Sequence, residues 1–234
     1  MKEREFINII KDSGKGVFTI SDISRLIEKD RKYSTLYVGR LHKRGVLSRV
    51  ERGKYVLPDT DIAVVATNLV TPSYLSFLSG LYYYHLTAQI PSSLQVVTTR
   101  SKRRILYEQE IDFIKFDKKR VFGYNRVKLS GGYAFIGEIE KIIVDILFMP
   151  RCCPLGEVLD ALDNINIEKV VDYGLKMKSI VTLKRLGYLL ELKGFDVHDK
   201  LERHLNKRYD LLNPSLPPSG RRDRKWMLEL NEDL

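Results

Sequence analysis

The chain has 234 residues, 44% apolar and 30% charged, which is the balance of a folded soluble protein and excludes a disordered tail or a collagen-like fibre. Lys and Arg number 40 against 30 Asp and Glu, and the formal charge of +10 points to a polyanionic partner, either nucleic acid or an acidic membrane surface. The two cysteines, Cys152 and Cys153, are adjacent, which excludes a disulfide-stapled scaffold and a cysteine-built zinc site and suits a reducing, intracellular compartment.

The opening Met1-Lys2-Glu3-Arg4-Glu5 is charged on both signs and has no apolar stretch, so no secretion leader is expected. Glu3 to Asp12 is predicted as a helix with Phe6, Ile7, Ile9 and Ile10 on one face, ended by Ser13-Gly14-Lys15-Gly16. Val17-Phe18-Thr19 is β-prone. Ser21 is the expected cap of a second helix, Asp22 to Glu28, followed by a basic turn from Lys29 to Tyr33. Ser34 is the expected cap of a third helix, Thr35 to Arg44, stopped by Gly45. Val46 to Val50 and Lys54 to Leu57 then flank Glu51-Arg52-Gly53 as a hairpin. Helix, helix-turn-helix and hairpin in that order make a winged helix-turn-helix.

At about 100° per residue the third helix has two faces. Ser34, Tyr37, Val38 and Leu41 share the inner one. Lys32, Leu36, Gly39 and Lys43 lie opposite, flanked by Thr35, Arg40 and His42. The second helix of such a unit enters the DNA major groove. Arg40 is then placed to read guanine and Thr35 a thymine methyl, with Lys32 and Lys43 on phosphates. Arg52 and Lys54 lie at the wing tip, within reach of phosphate or a narrow minor groove. Leu36 and Arg44 complete the expected DNA-binding set. A winged helix used for protein contact, or one gripping structured RNA, is the alternative.

Charge is concentrated in two blocks. Residues 1–59 carry 14 basic and 8 acidic side chains, and Arg100 to Lys128 carry 10 and 4. Between Ile62 and Thr99 there is no charged residue, but polar residues interrupt this stretch too often for a span of about 20 apolar residues. Asp59-Thr60-Asp61 reads as a linker and helix start, which gives a winged helix over 1–59 and a larger α+β domain over 60–234.

In that larger domain Thr71-Pro72 is read as another helix start, with Tyr74, Phe77, Leu78 and Leu81 as its apolar stripe. Tyr82-Tyr83-Tyr84-His85 is read as half-buried core rather than a base-stacking platform. Leu94–Thr99, Ile111–Phe116, Val121–Leu129 and Tyr133–Ile136 suggest a small antiparallel sheet. Helices are expected over Gly137–Phe148, Leu155–Leu162, Ile167–Met177, Ile180–Leu192 and Val197–Leu205, then a last strand at Trp226–Leu230. Arg100, Lys102, Arg103 and Arg104 are a candidate second nucleic-acid surface, weighed against a plain solvated strand end.

The segment from Leu41-His42-Lys43-Arg44-Gly45-Val46-Leu47 to Val50-Glu51-Arg52-Gly53-Lys54-Tyr55-Val56-Leu57 resembles the N-terminal domain of AbiEi-type antitoxins. These are transcriptional regulators of type IV toxin–antitoxin and phage-defence operons. Thr71 to Leu81, Leu86-Thr87-Ala88-Gln89-Ile90-Pro91, Glu140-Lys141-Ile142-Ile143-Val144-Asp145 and Arg185 to Glu191 resemble the family's later motifs, in order. Gly80 and Ile142 depart from that pattern, since both positions commonly hold Ala. The resemblance implies a repressor of its own operon that binds promoter repeats in double-stranded DNA. Its larger domain would counter a nucleotidyltransferase-type toxin without direct contact.

No phosphate-binding loop, HExxH or GxSxG motif is present, and His42, His85, His198 and His204 are dispersed. Asp160 with Asp163, and Glu138 with Glu140, read as helix-surface charge. No catalytic residue, metal or cofactor is therefore expected, and the expected location is the cytoplasm.

Overall fold

The structure, a computed structural model, describes residues 3–234 and is α+β. Two compact units interleave along the sequence. One holds the chain up to Leu75 with Ser92–Phe116 and Asn125–Ile136; the other holds Ser76–Pro91, Asp117–Tyr124 and Gly137–Leu234. The division therefore differs from the 59/60 boundary expected, because the winged helix belongs to the same unit as a large sheet.

In the first unit, α1 (Glu3–Asp12), β1 (Phe18–Thr19), α2 (Ile20–Leu26), α3 (Arg31–Lys43), β2 (Ser48–Glu51) and β3 (Lys54–Val56) form the winged helix-turn-helix, with strand order β1-β3-β2. Phe6, Ile10, Phe18, Ile23, Val38 and Leu41 close its core. Two helix starts lie upstream of their expected places. Thr19, not Ser21, caps α2: Asp22 N–H donates to Thr19 Oγ1 (3.1 Å) while Thr19 N–H donates to the Asp22 carboxylate (2.8 Å). Asp30, not Ser34, caps α3, accepting from Tyr33 N–H at 2.9 Å. Ser34 is instead fully buried inside the helix, where its hydroxyl donates back to the Asp30 carbonyl. The expected basic turn of Lys29 to Tyr33 is thus largely the first turn of α3.

Next come α4 (Ile62–Asn68), capped by Asp61 as expected, and β4 (Ser73–Leu75), β5 (Ser93–Thr98), β6 (Ile105–Tyr107), β7 (Gln109–Lys115), β8 (Tyr124–Leu129) and β9 (Gly132–Gly137). The strands form one sheet of six in the order β6-β7-β5-β4-β9-β8. It is larger than the small antiparallel sheet expected, and mixed: β5 runs parallel to β7, and β4 parallel to β9. The Thr71–Pro72 bond is cis, and Pro72 leads into β4 rather than a helix. All three residues of β4 are buried, so this central strand lacks the alternation that marks strands in a sequence. Asn68 donates to the Tyr133 carbonyl (2.7 Å) and Thr67 Oγ1 accepts from Phe135 N–H (3.1 Å), fixing α4 to β9.

The second unit contains α5 (Phe77–Tyr83), α6 (Ile139–Phe148), α7 (Leu155–Ala161), α8 (Ile167–Lys176), α9 (Ile180–Leu192) and α10 (His198–Leu201). β10 (Asp210–Leu211), β11 (Arg222–Asp223) and β12 (Leu228–Glu229) form a small sheet, β12 being all that remains of the strand expected at Trp226–Leu230. The helix expected over Val197–Leu205 tightens to a 3-10 turn after Leu201. Tyr83 and Tyr84 are half-buried and meet edge to face at 5.1 Å, whereas Tyr82 and His85 are exposed.

α6 packs against α5, α7, α8 and α9. On it, Lys141 and Asp145 are fully buried and paired one turn apart, and Ser76 donates to the same carboxylate at 2.8 Å. Burial pushes the Lys141 ammonium below its usual range, and Asp145 opposes that shift. Glu140 is not surface charge as expected: it is buried, accepts from Asn166 N–H (3.2 Å) and pairs with Lys169 (3.3 Å). Gly80 of α5 faces Ile142 of α6, and a methyl group at position 80 would stand 2.6 Å from Ile142 Cδ1. The two departures from the AbiEi pattern therefore meet in space: the glycine makes room for the larger side chain.

Gly80→Ala is expected to cost about 1–3 kcal/mol by overpacking, read by urea unfolding of the full chain. With Ile142→Ala added, the loss should fall short of the two single losses combined; strict additivity would remove the coupling. Lys141→Met should cost about 3–5 kcal/mol by stranding the Asp145 charge, and Lys141→Met with Asp145→Leu should recover most of it.

Candidate nucleic-acid interface

α3 presents its outward face as the helical geometry requires. Lys32, Thr35, Arg40 and Lys43 are exposed, Leu36 is 65% exposed, and Ser34, Val38 and Leu41 are buried beneath them. Thr35 Oγ1 donates to the Arg31 carbonyl at 2.7 Å, which leaves its methyl group as the outward contact. The side chains of Lys32, Arg40 and Lys43 have no hydrogen bond or ion pair among the described residues, and the same holds for Arg52 at the tip of the hairpin. Arg31, which sequence reasoning placed in a turn, is an exposed cation in the first turn of α3. Its signal was Asp30, a capping residue directly before it. His42 Nδ1 donates to the Leu47 carbonyl at 3.0 Å and ties the end of α3 to the start of the wing.

The remaining candidate cations are differently placed. Arg44 is paired with Glu3 at 2.6 Å but keeps two thirds of its side chain exposed. Lys54 is not a free tip residue. Its ammonium sits on Glu51 (2.9 Å) and donates to the Leu69 carbonyl, so it is turned toward the segment that follows α4. Lys102 reaches the same carboxylate at 2.7 Å and lies 5.5 Å from the Phe113 ring centre. Arg104 is held by Asp112 and by Glu110 (2.9 Å) across the β6–β7 hairpin. Arg100 and Arg103 are exposed, and their guanidinium groups have no partner among the described residues. The run 100–104 thus consists of two free cations and two neutralised ones.

Glu51 is the hub of this arrangement. Partial burial raises its carboxyl, but the bonds from Lys102 and Lys54 outweigh that and hold it below the usual carboxylate range. The wing is thereby fixed to the segment that follows β5, in the same unit.

Residues 6–58 match a family model described as transcriptional regulator, AbiEi antitoxin. This AbiEi-like segment runs from the buried Phe6 of α1 to just past β3, and so takes in α3 and the whole wing. The matched residues include Lys32, Thr35, Leu36, Arg40, Lys43, Arg44, Arg52 and Lys54. The motifs at 71–91, 140–145 and 185–191 lie outside the matched residues. A search of curated proteins finds no match.

Among the described residues no group of three His, Cys, Asp or Glu side chains converges to hold a metal. Burial pushes the Cys153 thiol up to about 12, which keeps it protonated at neutral pH. No helix among the described residues is long and apolar enough to cross a membrane.

Glu51→Gln should lower stability at neutral pH by about 1 kcal/mol, because two half-buried ammonium groups lose their shared anion. The folded carboxyl titrates below the unfolded value of about 4.3, so its contribution is present above that pH and is lost as pH falls through the folded value. Wild type and Glu51→Gln should therefore converge in stability in acid, as measured by urea unfolding across a pH series. An unchanged gap would show that the bridge is not the source.

Proposed function

We propose that this protein is a DNA-binding antitoxin that represses its own toxin–antitoxin operon, with α3 in the major groove of promoter repeats and Arg52 of the wing on the adjacent backbone or minor groove. The observation that carries this reading is the row of unpartnered cations, Lys32, Arg40 and Lys43, on the exposed face of the AbiEi-like α3. A solvated helix face normally mixes signs, and this one carries no acid between Arg31 and Arg44. Leu36 and the Thr35 methyl supply apolar contact beside the cations, suited to thymine methyl groups.

One winged helix spans only a short half-site, so useful specificity calls for paired repeats and two copies. In this reading the remainder of the chain counters a nucleotidyltransferase-type toxin without touching it, as the motifs at 71–91, 140–145 and 185–191 imply by resemblance. The protein works in the cytoplasm as part of phage defence, with no cofactor, no metal and no catalysis of its own.

The test is a mobility shift of the full chain on the DNA upstream of its own gene, beside a scrambled duplex. Wild type should prefer the upstream DNA by at least tenfold at fixed salt. Arg40→Ala should lose about 1–3 kcal/mol of that preference, and Lys43→Ala should weaken both duplexes alike. Equal, salt-sensitive binding to every duplex would reduce the charge to a nonspecific footprint and overturn the repressor reading.

A further inference from the structure

Beside the tip of the wing lies a pocket of about 430 Å³, lined by Lys54, Thr71, Arg100, Ser101 and Lys102 with Leu69 and Val70. All of these residues belong to the first unit. Three cations line this space, and the carboxylate bound to two of them is Glu51, which Lys54 and Lys102 share. Arg100 contributes a guanidinium with no acceptor among the described residues, and Thr71 and Ser101 are exposed hydroxyl donors. The pocket is therefore cationic in excess and rich in donors, which is the chemistry that takes a phosphate oxygen.

Its position says which phosphate. Glu51 and Lys54 are paired across the Arg52-Gly53 turn, so the pocket lies directly beside the wing-tip arginine. A duplex that meets α3 and Arg52 carries one charge per about 3.4 Å of each strand, so the phosphates next to the one at Arg52 pass this side of the wing tip. The Glu51 bridge and the Lys54 bond to the Leu69 carbonyl hold the walls in place without a ligand.

We propose that this pocket binds a backbone phosphate of the DNA flanking the repeat read by α3, with Arg100 as its principal charge. The proposal rests on the DNA-binding reading above and adds a contact from outside the matched segment. Arg104, neutralised by Asp112 and Glu110, takes no part in it.

The experiment is a salt titration of full-length protein on fluorescent upstream and scrambled duplexes, read by anisotropy. Arg100→Ala should flatten the slope of log K against log salt by about 0.9 and weaken binding about fivefold at physiological salt, equally on both duplexes. Arg100→Lys should keep the wild-type slope. Single methylphosphonate substitutions along the flank should reveal one phosphate whose loss weakens wild type but not Arg100→Ala. If Arg40→Ala loses preference for the upstream duplex while Arg100→Ala keeps the wild-type slope and affinity, the pocket proposal falls and the repressor reading stands. If wild type binds neither duplex, or binds a structured RNA in preference to both, the two fall together.

Discussion

The wing is held by one carboxylate. A β-hairpin as short as this one, Ser48 to Val56, is marginal in water, and its strands need a third partner and an anchor. Here β1 supplies the third strand, and Glu51 anchors the tip end by joining Lys54 of the hairpin to Lys102 beyond β5. The Lys54 ammonium also closes on the Leu69 carbonyl, so wing and sheet meet through charge-assisted bonds rather than apolar packing alone. A contact surface built this way is presented in one orientation before any partner arrives, which lowers the entropy cost of binding.

The second unit handles buried charge in another way. Lys141 and Asp145 neutralise each other inside α6, and Arg185 of α9 spends its terminal nitrogens on the Leu147 and Leu211 carbonyls at 2.9 Å each. Lys184 beside it binds Asn206 (2.8 Å) and Asp210 (2.7 Å), and Glu191 at the far end of α9 accepts from Lys225 (2.9 Å) and from the Trp226 indole. The Trp226 ring lies against Gly187, where a methyl group would stand 2.0 Å from it. The polar residues of the 140–145 and 185–191 motifs thus join helices to one another and to the C-terminal strands. They are positioned for assembly of the unit, and burial of Arg185 lowers its pKa to about 10, the mark of a cation removed from water.

Much of this was legible in the residues. Glu3–Asp12 and Ile180–Leu192 are helices with the bounds that their periodicity suggests, and the inner and outer faces of α3 follow from helical spacing alone. What escaped shares a physical cause. β4 and β6 are three residues long, and β4 is buried on both faces, so neither has a readable period. Competing caps misled at Ser21 and Ser34, because Thr19 and Asp30 are equally good acceptors and the local sequence does not rank them. In the candidate interface, exposure was readable but neutralisation was not. Lys102 finds Glu51 across 51 residues, and Arg104 meets Glu110 and Asp112 only because an unforeseen hairpin folds them together.

The contact between Gly80 and Ile142 also makes the two ways of rebuilding it unequal. Starting from alanine at both places, enlarging position 142 first sets a branched side chain against a methyl, a clash that a close-packed interior resists. Shrinking position 80 first leaves a small void and a more flexible helix turn, which is the milder intermediate. For the same reason, a hybrid protein that takes residues 76–91 from a relative with alanine at 80 inherits half of a matched set, and it folds well only when position 142 is taken from the same parent.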